Sequence, residues 1–267
     1  MKRVYIEDWW PESWKYSYSY DLQEVYGEIY NFGYTYAYQN RFNTTLGLIA
    51  EVLPRGSTIL DVAAAQGNFT LTLAEMGYKI TWNDLRADLA EYVRMKHEKG
   101  DVSYSAGNVF DFSYHECFDC VLITEVIEHV AHPDEFLKKA AMMVKPGGYI
   151  VMSTPNGGYI NNNLPRFSDC DNPSAFENKQ FKPDSDGHIF LLWEDEIKLL
   201  GSKAGLKLEK HLLLTNILTA GHMKSEICLK IFPKSFVFFL EKATDFLPNL
   251  LKNKITANSC SRYFKSP

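Results

Sequence analysis

The chain has 267 residues, of which 46% are hydrophobic and 23% are charged, values that are usual for a soluble globular protein. Its net charge of −5 argues against a nucleic-acid partner, because contact with a phosphate backbone requires a basic surface. No apolar run approaches the roughly 20 residues of a membrane span, and the N-terminus lacks the pattern of a signal peptide. These features predict a cytoplasmic protein and leave open whether it is a monomer or a homodimer.

The N-terminal region is rich in aromatic side chains, with Trp9, Trp10, Trp14 and nine tyrosines from Tyr5 to Tyr38. We predict that residues 1–43 form an aromatic cap. Two roles are open for this cap: it folds over a ligand pocket and excludes water, or it packs on the flank of the main domain. An amphipathic helix follows and ends near Pro54.

Strands and amphipathic helices alternate between residues 58 and 153. The predicted strands are Thr58–Val62, Lys79–Trp82, Val102–Ser105, Phe118–Thr124 and Tyr149–Ser153. Between them, apolar residues recur at helical spacing. Because consecutive parallel strands need crossovers of this kind, the alternation predicts an α/β fold with a mostly parallel sheet.

The C-terminal part is predicted to add a lid and two closing strands. Polar residues dominate 155–190, and a connection of that length is typical of a functional lid. A helix over Glu194–Ala204 precedes the closing strands Leu206–Leu213 and Glu226–Phe232. The main domain is therefore predicted to span 44–232.

The remaining residues, 233–267, are predicted to form a helix and tail. The helix covers Phe236–Leu251 and is interrupted at Pro248, and the polar end is expected to fray. The apolar run Phe236–Leu240 favours packing into the core over docking on a membrane or a partner.

The turn after the first strand carries the strongest functional signal. It runs from Asp61 to Gly67 and is built from small residues, which let a ligand approach the backbone closely. Asp84 follows Asp61 by 23 positions at the end of the second strand, where a carboxylate can accept hydrogen bonds from ribose hydroxyls. The turn has one of the three glycines that a pyrophosphate requires. The pattern therefore favours a nucleoside ligand without phosphates, such as S-adenosylmethionine (SAM).

Five ordered segments resemble the motifs of the class I SAM-dependent methyltransferases. In chain order these segments, all between Ser57 and Leu213, are LDVAAAQG, TWNDL, GNVFDF, FDCVLITEVIEHV and VKPGGYIVMSTPN. The resemblance implies a Rossmann-like, mostly parallel seven-stranded sheet with helices on both faces and one antiparallel strand near the C-terminus. It also implies that SAM is the cofactor.

The resemblance also implies a set of cofactor-binding residues. Asp84 occupies the ribose position, Asn108 and Val109 the adenine position, and Asp61 lies near the methionine amino group, directly or through water. The full set is Asp61, Ala63, Ala65, Gln66, Gly67, Asp84, Leu85, Asn108, Val109, Thr124 and Arg41. Arg41 is either a partner of the cofactor carboxylate or a plain surface arginine. Ala63 and Ala65 depart from the family, which usually has glycine at both positions.

Glu125, Glu128 and His129 follow the fourth strand as E-x-x-E-H. If this segment is helical, its three side chains share one face and can bind a divalent cation. The segment resembles that of the ubiquinone-pathway O-methyltransferases. Together with His188 in H-x-F, it also resembles the small-RNA 2′-O-methyltransferases, which implies that Glu125, Glu128, His129 and His188 hold a metal such as Mn or Mg. A metal-free role for His129 beside the acceptor and a purely structural role are the alternatives.

These observations predict a SAM-dependent methyltransferase of a small molecule. We expect an O-methyltransferase of a hydroxylated natural product or sugar, with His129, Glu125 and His188 as catalytic residues. Methyl transfer to carbon or nitrogen is the first alternative. A catalytically idle SAM-binding or scaffold protein is the second, because alanines replace glycines in the turn.

Overall fold

The fold is built around one seven-stranded sheet in a computed structural model that describes residues 1–180, 187–222 and 225–267. The strands are β1 (Thr58–Val62), β2 (Lys79–Asp84), β3 (Asp101–Ala106), β4 (Phe118–Thr124), β5 (Val144–Pro155), β6 (Leu206–Asn216) and β7 (Thr256–Lys265). Their order is β3-β2-β1-β4-β5-β7-β6. Neighbouring strands from β3 to β5 are parallel, and β7 runs antiparallel to both β5 and β6. The predicted Rossmann-like architecture with one antiparallel strand is confirmed.

Helices cover both faces of the sheet. They are α1 (Glu12–Glu24), α2 (Phe32–Ala50), α3 (Asn68–Glu75), α4 (Leu89–Lys96), α5 (Pro133–Met143), α6 (Glu194–Lys203), α7 (Glu226–Ile231), α8 (Lys234–Thr244) and α9 (Asn249–Ile255). None of the helices within the described ranges combines the length and apolar composition that crossing a bilayer requires.

The central strands β1 and β4 are apolar on both faces because helices cover each side. Successive side chains of a strand alternate between the faces. Ile59 and Leu122 therefore pack with α2 and α3, whereas Leu60 and Ile123 pack with α5 and α6. This double burial explains why these strands could be located from composition alone, and it holds their carboxyl ends rigidly at one edge.

The antiparallel strand comes from a part of the chain predicted to fray. The prediction of a strand at Glu226–Phe232 is wrong, because those residues form helix α7 and the turn after it. The tail instead inserts β7 between β5 and β6. Its buried Ser259 and Ser261 find partners there, the carbonyl of Thr154 and the ring of His211. Backbone hydrogen bonds to β5 and β6 stabilise β7 although its sequence is only weakly apolar. The predicted tail therefore belongs to the same sheet as the predicted domain 44–232.

The predicted tail helix is divided at Pro248 into α8 and α9, as expected, and Pro248 precedes the first turn of α9. The prediction that Phe236–Leu240 packs into the core is wrong for most of the run. Val237 is buried, whereas Phe236, Phe238 and Phe239 are exposed. The buried side of α8 is therefore narrow, and its aromatic side chains face outward.

The predicted lid, 155–190, contains short 3₁₀ helices at Phe167–Asp169 and Pro173–Lys179. Phe167 and Phe176 pack edge-on against the buried ring of Phe190. Residues 181–186 of the predicted lid lie outside the described residues. Ala131, which follows β4, belongs to the same apolar cluster, and this contact attaches the described part of the lid to the end of the sheet that bears the site.

Candidate active site

A crevice of about 970 Å³ lies beyond the carboxyl ends of β1, β2 and β4. Ligands of open parallel sheets bind at this edge, where the strand order reverses. A smaller crevice of about 510 Å³ lies at the opposite edge, next to Ser57 at the start of β1. The larger crevice contains most of the residues predicted from the sequence: Ala63, Ala65, Gln66, Asp84, Leu85, Asn108, Val109, Thr124, Arg41, Glu125, His129 and His188 all line it.

The turn after β1 has a left-handed backbone at three positions. Ala63, Ala65 and Gly67 have φ angles of 53°, 47° and 73°. Left-handed backbone costs a non-glycine residue roughly 1–2 kcal/mol, which explains physically why related turns use glycine. At Gly67 a Cβ would also meet the side chain of Val93 at 2.7 Å. Gly67 therefore shapes the turn without lining the crevice, while Ala63 and Ala65 line it and leave it open.

Asp84 faces the crevice from the end of β2. Its carboxylate accepts hydrogen bonds from the backbone N–H of Ala65 and of Arg86, both at 2.9 Å. The Arg86 guanidinium donates to the two carboxylate oxygens at 2.9 and 3.1 Å. Arg86 was not predicted, although it stands only two positions after Asp84. The buried carboxylate is thus fixed in place, with its charge at the crevice wall.

Asp61 lies behind the turn and does not line the crevice. It is buried, and its Oδ2 accepts a hydrogen bond from the Thr70 hydroxyl at 2.6 Å. Its Oδ1 has no hydrogen-bond partner among the described residues. Burial raises the pKa of Asp61 to about 7, since desolvation disfavours the charged carboxylate. The position of Asp61 near the methionine amino group, directly or through water, stays a prediction.

Asn108 and Val109 form the opposite wall with Leu85. The Asn108 side chain accepts a hydrogen bond from the Phe110 N–H at 3.1 Å and caps a short 3₁₀ helix, Val109–Asp111. This local bond fixes the loop after β3, so the side chains of the wall hold a defined orientation.

Residues of the aromatic cap form part of the crevice wall. Tyr16, Ser17, Tyr20, Glu24 and Tyr34, from α1 and α2, all line it. The Glu24 carboxylate accepts hydrogen bonds from the side chains of Gln66 and Asn68, both at 2.9 Å, and from the Tyr34 hydroxyl. Burial raises the pKa of Glu24. The sequence analysis missed Glu24, because a single acidic residue in an aromatic segment carries no motif.

A buried ion pair fastens the cap to the turn. Lys96 on α4 donates to Asp21 on α1 at 2.5 Å, and both side chains have no exposed surface. The same ammonium donates to the Gln66 carbonyl at 2.9 Å and to the Asn68 side chain at 2.8 Å. One cation therefore connects the cap, the turn and the start of α3.

Arg41 approaches the crevice from α2. Its guanidinium lies 3.3 Å from the Glu125 carboxylate and 5.5 Å from the centre of the Tyr38 ring. Arg41 is therefore not a plain surface arginine, since its side chain is mostly buried and paired inside the site. This pairing was not predicted.

The E-x-x-E-H segment is not α-helical, so the condition under which its three side chains would share one face is not met. Glu125 has a φ of 54° and the residues after it form a 3₁₀ turn, so the side chains of Glu125 and Glu128 do not share a helical face. Glu125 instead pairs with Arg41 and accepts a hydrogen bond from Ser153 at 2.9 Å. The tight turn follows directly from the end of β4, where the chain reverses.

Glu128, His129 and His188 come together without Glu125. One potential ligand atom from each of the three lies within 4.8 Å of the others, and the ring centres of the two histidines are 4.8 Å apart. The Ile189 N–H donates to the Glu128 carbonyl at 2.7 Å and so positions His188. Burial and the nearby Glu125 raise the pKa of Glu128 well above its ordinary value. The structure thus assembles three of the four predicted metal ligands.

Comparison with known proteins identifies the family. A family model described as a methyltransferase domain matches residues 34–211. The chain belongs to the class I SAM-dependent methyltransferases. This methyltransferase is similar to the ubiquinone biosynthesis O-methyltransferases of Xanthomonas axonopodis pv. citri (strain 306), at 32% identity over 40% of the chain and 46% of the relative, and of Caulobacter vibrioides, at 33% over 38% and 42%. The matched region spans less than half the length of these relatives.

Solved structures agree on the fold. The methyltransferase is similar to a putative methyltransferase structure from the complex with the Haloferax volcanii Trm112 activator, with a TM-score of 0.56, 14% identity and coverage of 86% and 91% of the two chains. A putative sarcosine dimethylglycine methyltransferase from Galdieria sulphuraria has a TM-score of 0.54 and 12% identity, and the match covers 84% of this chain and 86% of that one. At such identities the likeness concerns the architecture alone, so the acceptor has to be argued from the site.

Proposed function

We propose that this methyltransferase transfers the methyl group of SAM to a hydroxyl group of a small molecule. The observation that carries the proposal is the Asp84 carboxylate, buried at the end of β2, held by the Ala65 N–H and facing a crevice that the turn leaves open. A carboxylate in this position can accept hydrogen bonds from ribose hydroxyls. The absence of a glycine-rich phosphate cradle supports a nucleoside without phosphates.

The crevice offers a partner for each part of the cofactor. Asp84 would bind the ribose, and the wall of Leu85, Asn108 and Val109 would hold the adenine. The methionine end would then point toward Arg41 and Glu24. Arg41 suits the cofactor carboxylate and Glu24 its ammonium group, because opposite charges in a partly buried site attract strongly. Arg41 would exchange part of its contact with Glu125 for this ligand.

Methyl transfer needs little chemistry from the protein beyond alignment and proton removal. When bound, SAM would supply an electrophilic methyl group, whose bond to sulfur breaks as the acceptor oxygen bonds to the methyl carbon, leaving S-adenosylhomocysteine. Alignment contributes about 7–11 kcal/mol of barrier reduction in favourable cases. His129 lines the crevice near His188 and Gln180 and is the residue we assign to accept the hydroxyl proton. A positioned base is worth roughly 10²–10⁴ in rate.

A divalent cation at Glu128, His129 and His188 is a second proposal for the same site. The donor set fits, because these groups converge and the buried Glu128 Oε1 has no hydrogen-bond partner among the described residues. Two imidazoles favour manganese or another transition ion over magnesium, which prefers oxygen ligands. A cation held there would lower the pKa of an acceptor hydroxyl. Glu125 is no longer included in this set, because it pairs with Arg41.

Calorimetry with S-adenosylhomocysteine, the demethylated cofactor, tests the proposed function. The wild type is expected to bind, and Asp84→Asn is expected to lower the affinity by about 10–100-fold, since hydrogen bonds to a charged group are worth about 1.5–3 kcal/mol. Asp111→Asn, at an exposed carboxylate of the adjoining loop, is the matched control. No binding by the wild type would favour the scaffold alternative. Unchanged turnover in EDTA would refute an essential cation while leaving the metal-free enzyme intact.

A further inference from the structure

The segment between β6 and β7 carries an exposed apolar surface on α7 and α8. We define this phenylalanine surface as Ile227, Ile231, Phe232, Phe236 and Phe239, whose exposed fractions range from 40 to 75%. Ring centres of Phe232 and Phe236 lie 4.9 Å apart, and those of Phe236 and Phe239 lie 6.3 Å apart. The residues form one patch rather than isolated side chains, and such patches mark interaction sites.

The other side of these helices is already used to anchor them. Leu229 and Val237 are buried against Tyr36 of α2. Glu226 accepts hydrogen bonds from the Phe32 and Gly33 N–H groups at 2.6 and 3.1 Å. The phenylalanine surface therefore cannot turn inward without breaking these contacts, and it faces outward in the folded chain.

The segment from Glu226 to Ile255 has five lysines and three acidic residues, a net charge of +2, although the whole chain has a net charge of −5. Lys230, Lys234 and Lys242 are exposed and form no ion pair within the described residues. Of the three acidic groups, Glu226 and Glu241 accept hydrogen bonds from backbone N–H groups, and Asp245 pairs with Lys252. The lysines therefore outnumber the carboxylates on this segment, and their excess charge can attract an external anion.

We propose that the phenylalanine surface docks this protein on an anionic lipid bilayer. Interfacial helices combine aromatic or aliphatic side chains, which enter the boundary between headgroups and acyl chains, with lysines that contact lipid phosphates. The lysines can extend their charged ends past the aromatic rings toward the headgroups. A second copy of the chain fits less well, because a two-fold contact through this patch would bring like charges together. In this proposal the helices lie on the membrane surface and do not cross the bilayer.

Co-sedimentation of the full chain with vesicles tests the proposal. We expect binding to phosphatidylglycerol-containing vesicles and at least tenfold weaker partitioning onto pure phosphatidylcholine. Replacing Lys234 and Lys242 by Gln is expected to weaken binding to the anionic vesicles about 25-fold, at roughly fivefold for each lysine. Replacing Phe236 and Phe239 by Ser is expected to weaken it by roughly tenfold or more. Raising the salt concentration should weaken binding further.

Matched controls lie on α6, on the opposite face of the sheet from α2. Lys198→Gln with Lys203→Gln and, separately, Leu199→Ser remove exposed side chains of the same kinds and should leave vesicle binding unchanged. Circular dichroism confirms that each variant is folded. Equal partitioning of the wild type onto both vesicle types, or unchanged binding of the surface variants, would overturn the proposal. So would a dimer in sedimentation equilibrium that the Phe236 and Phe239 substitutions dissociate, which would assign the patch to a second copy.

Discussion

Replacing Lys96 by Met should weaken the attachment of the aromatic cap to the turn after β1. Met keeps most of the side-chain volume but removes a charge that donates to Asp21, to the Gln66 carbonyl and to Asn68. The Asp21 carboxylate would stay buried, with hydrogen bonds from Asn68 and Tyr92 but without a counter-charge. Removing one partner of a buried pair typically costs 3–5 kcal/mol.

For a domain of this size, that loss corresponds to a fall in Tm of roughly 6–20 °C, at about 2–4 °C for each kcal/mol. Urea denaturation followed by circular dichroism measures the free energy of unfolding directly. Lys99→Met is the matched control, since Lys99 is exposed just beyond α4, and it should change that free energy by no more than about 0.5 kcal/mol. The affinity for S-adenosylhomocysteine should fall as well, because Lys96 holds the turn.

A second substitution separates the ion pair from simple packing. Asp21→Asn in the Lys96→Met background removes the uncompensated charge, so the double variant should recover about 1–3 kcal/mol relative to the sum of the single effects. A loss below 1 kcal/mol for Lys96→Met, or strictly additive effects in the double-mutant cycle, would refute this account of the cap.

Three further predictions concern the crevice and the buried carboxylate behind its turn. Ala65→Gly should raise the free energy of unfolding by about 0.5–1 kcal/mol, because relief of the left-handed backbone strain exceeds the cost of a more flexible unfolded chain. Ala64→Gly is the control and should lower that free energy by a similar amount, because it relieves no such strain. Urea denaturation measures both. Glu24→Gln should weaken S-adenosylhomocysteine binding by roughly 10–100-fold in calorimetry, and an unchanged affinity would remove Glu24 from the site. The buried Asp61 has its pKa raised from 3.8 to about 7, so its neutral form is favoured in the folded state. It should therefore reduce stability progressively as the pH rises from about 4 to about 7, by up to roughly 4 kcal/mol, and Asp61→Asn should abolish that slope in unfolding experiments at several pH values.

The sequence by itself determined the parallel core and the cofactor turn. The strands Thr58–Val62 and Phe118–Thr124 are short apolar runs buried on both faces, so composition alone locates them. Asp84 and the small residues from Ala63 to Gly67 follow directly from strand ends, and strand ends meet at one edge of a parallel sheet. These features depend on local sequence pattern and on the topology of parallel sheets, and both can be predicted from the sequence.

Tertiary structure alone decided the features that join distant parts of the chain. β7 is a polar segment that becomes a strand only because β5 and β6 offer hydrogen bonds on both sides. Glu125 does not join Glu128, His129 and His188, because its backbone is left-handed and its carboxylate pairs with Arg41, 84 positions earlier. Glu24 joins the crevice only once the cap has docked. Side-chain periodicity records which face of an element is apolar, but it carries no information about which charged groups meet across the fold.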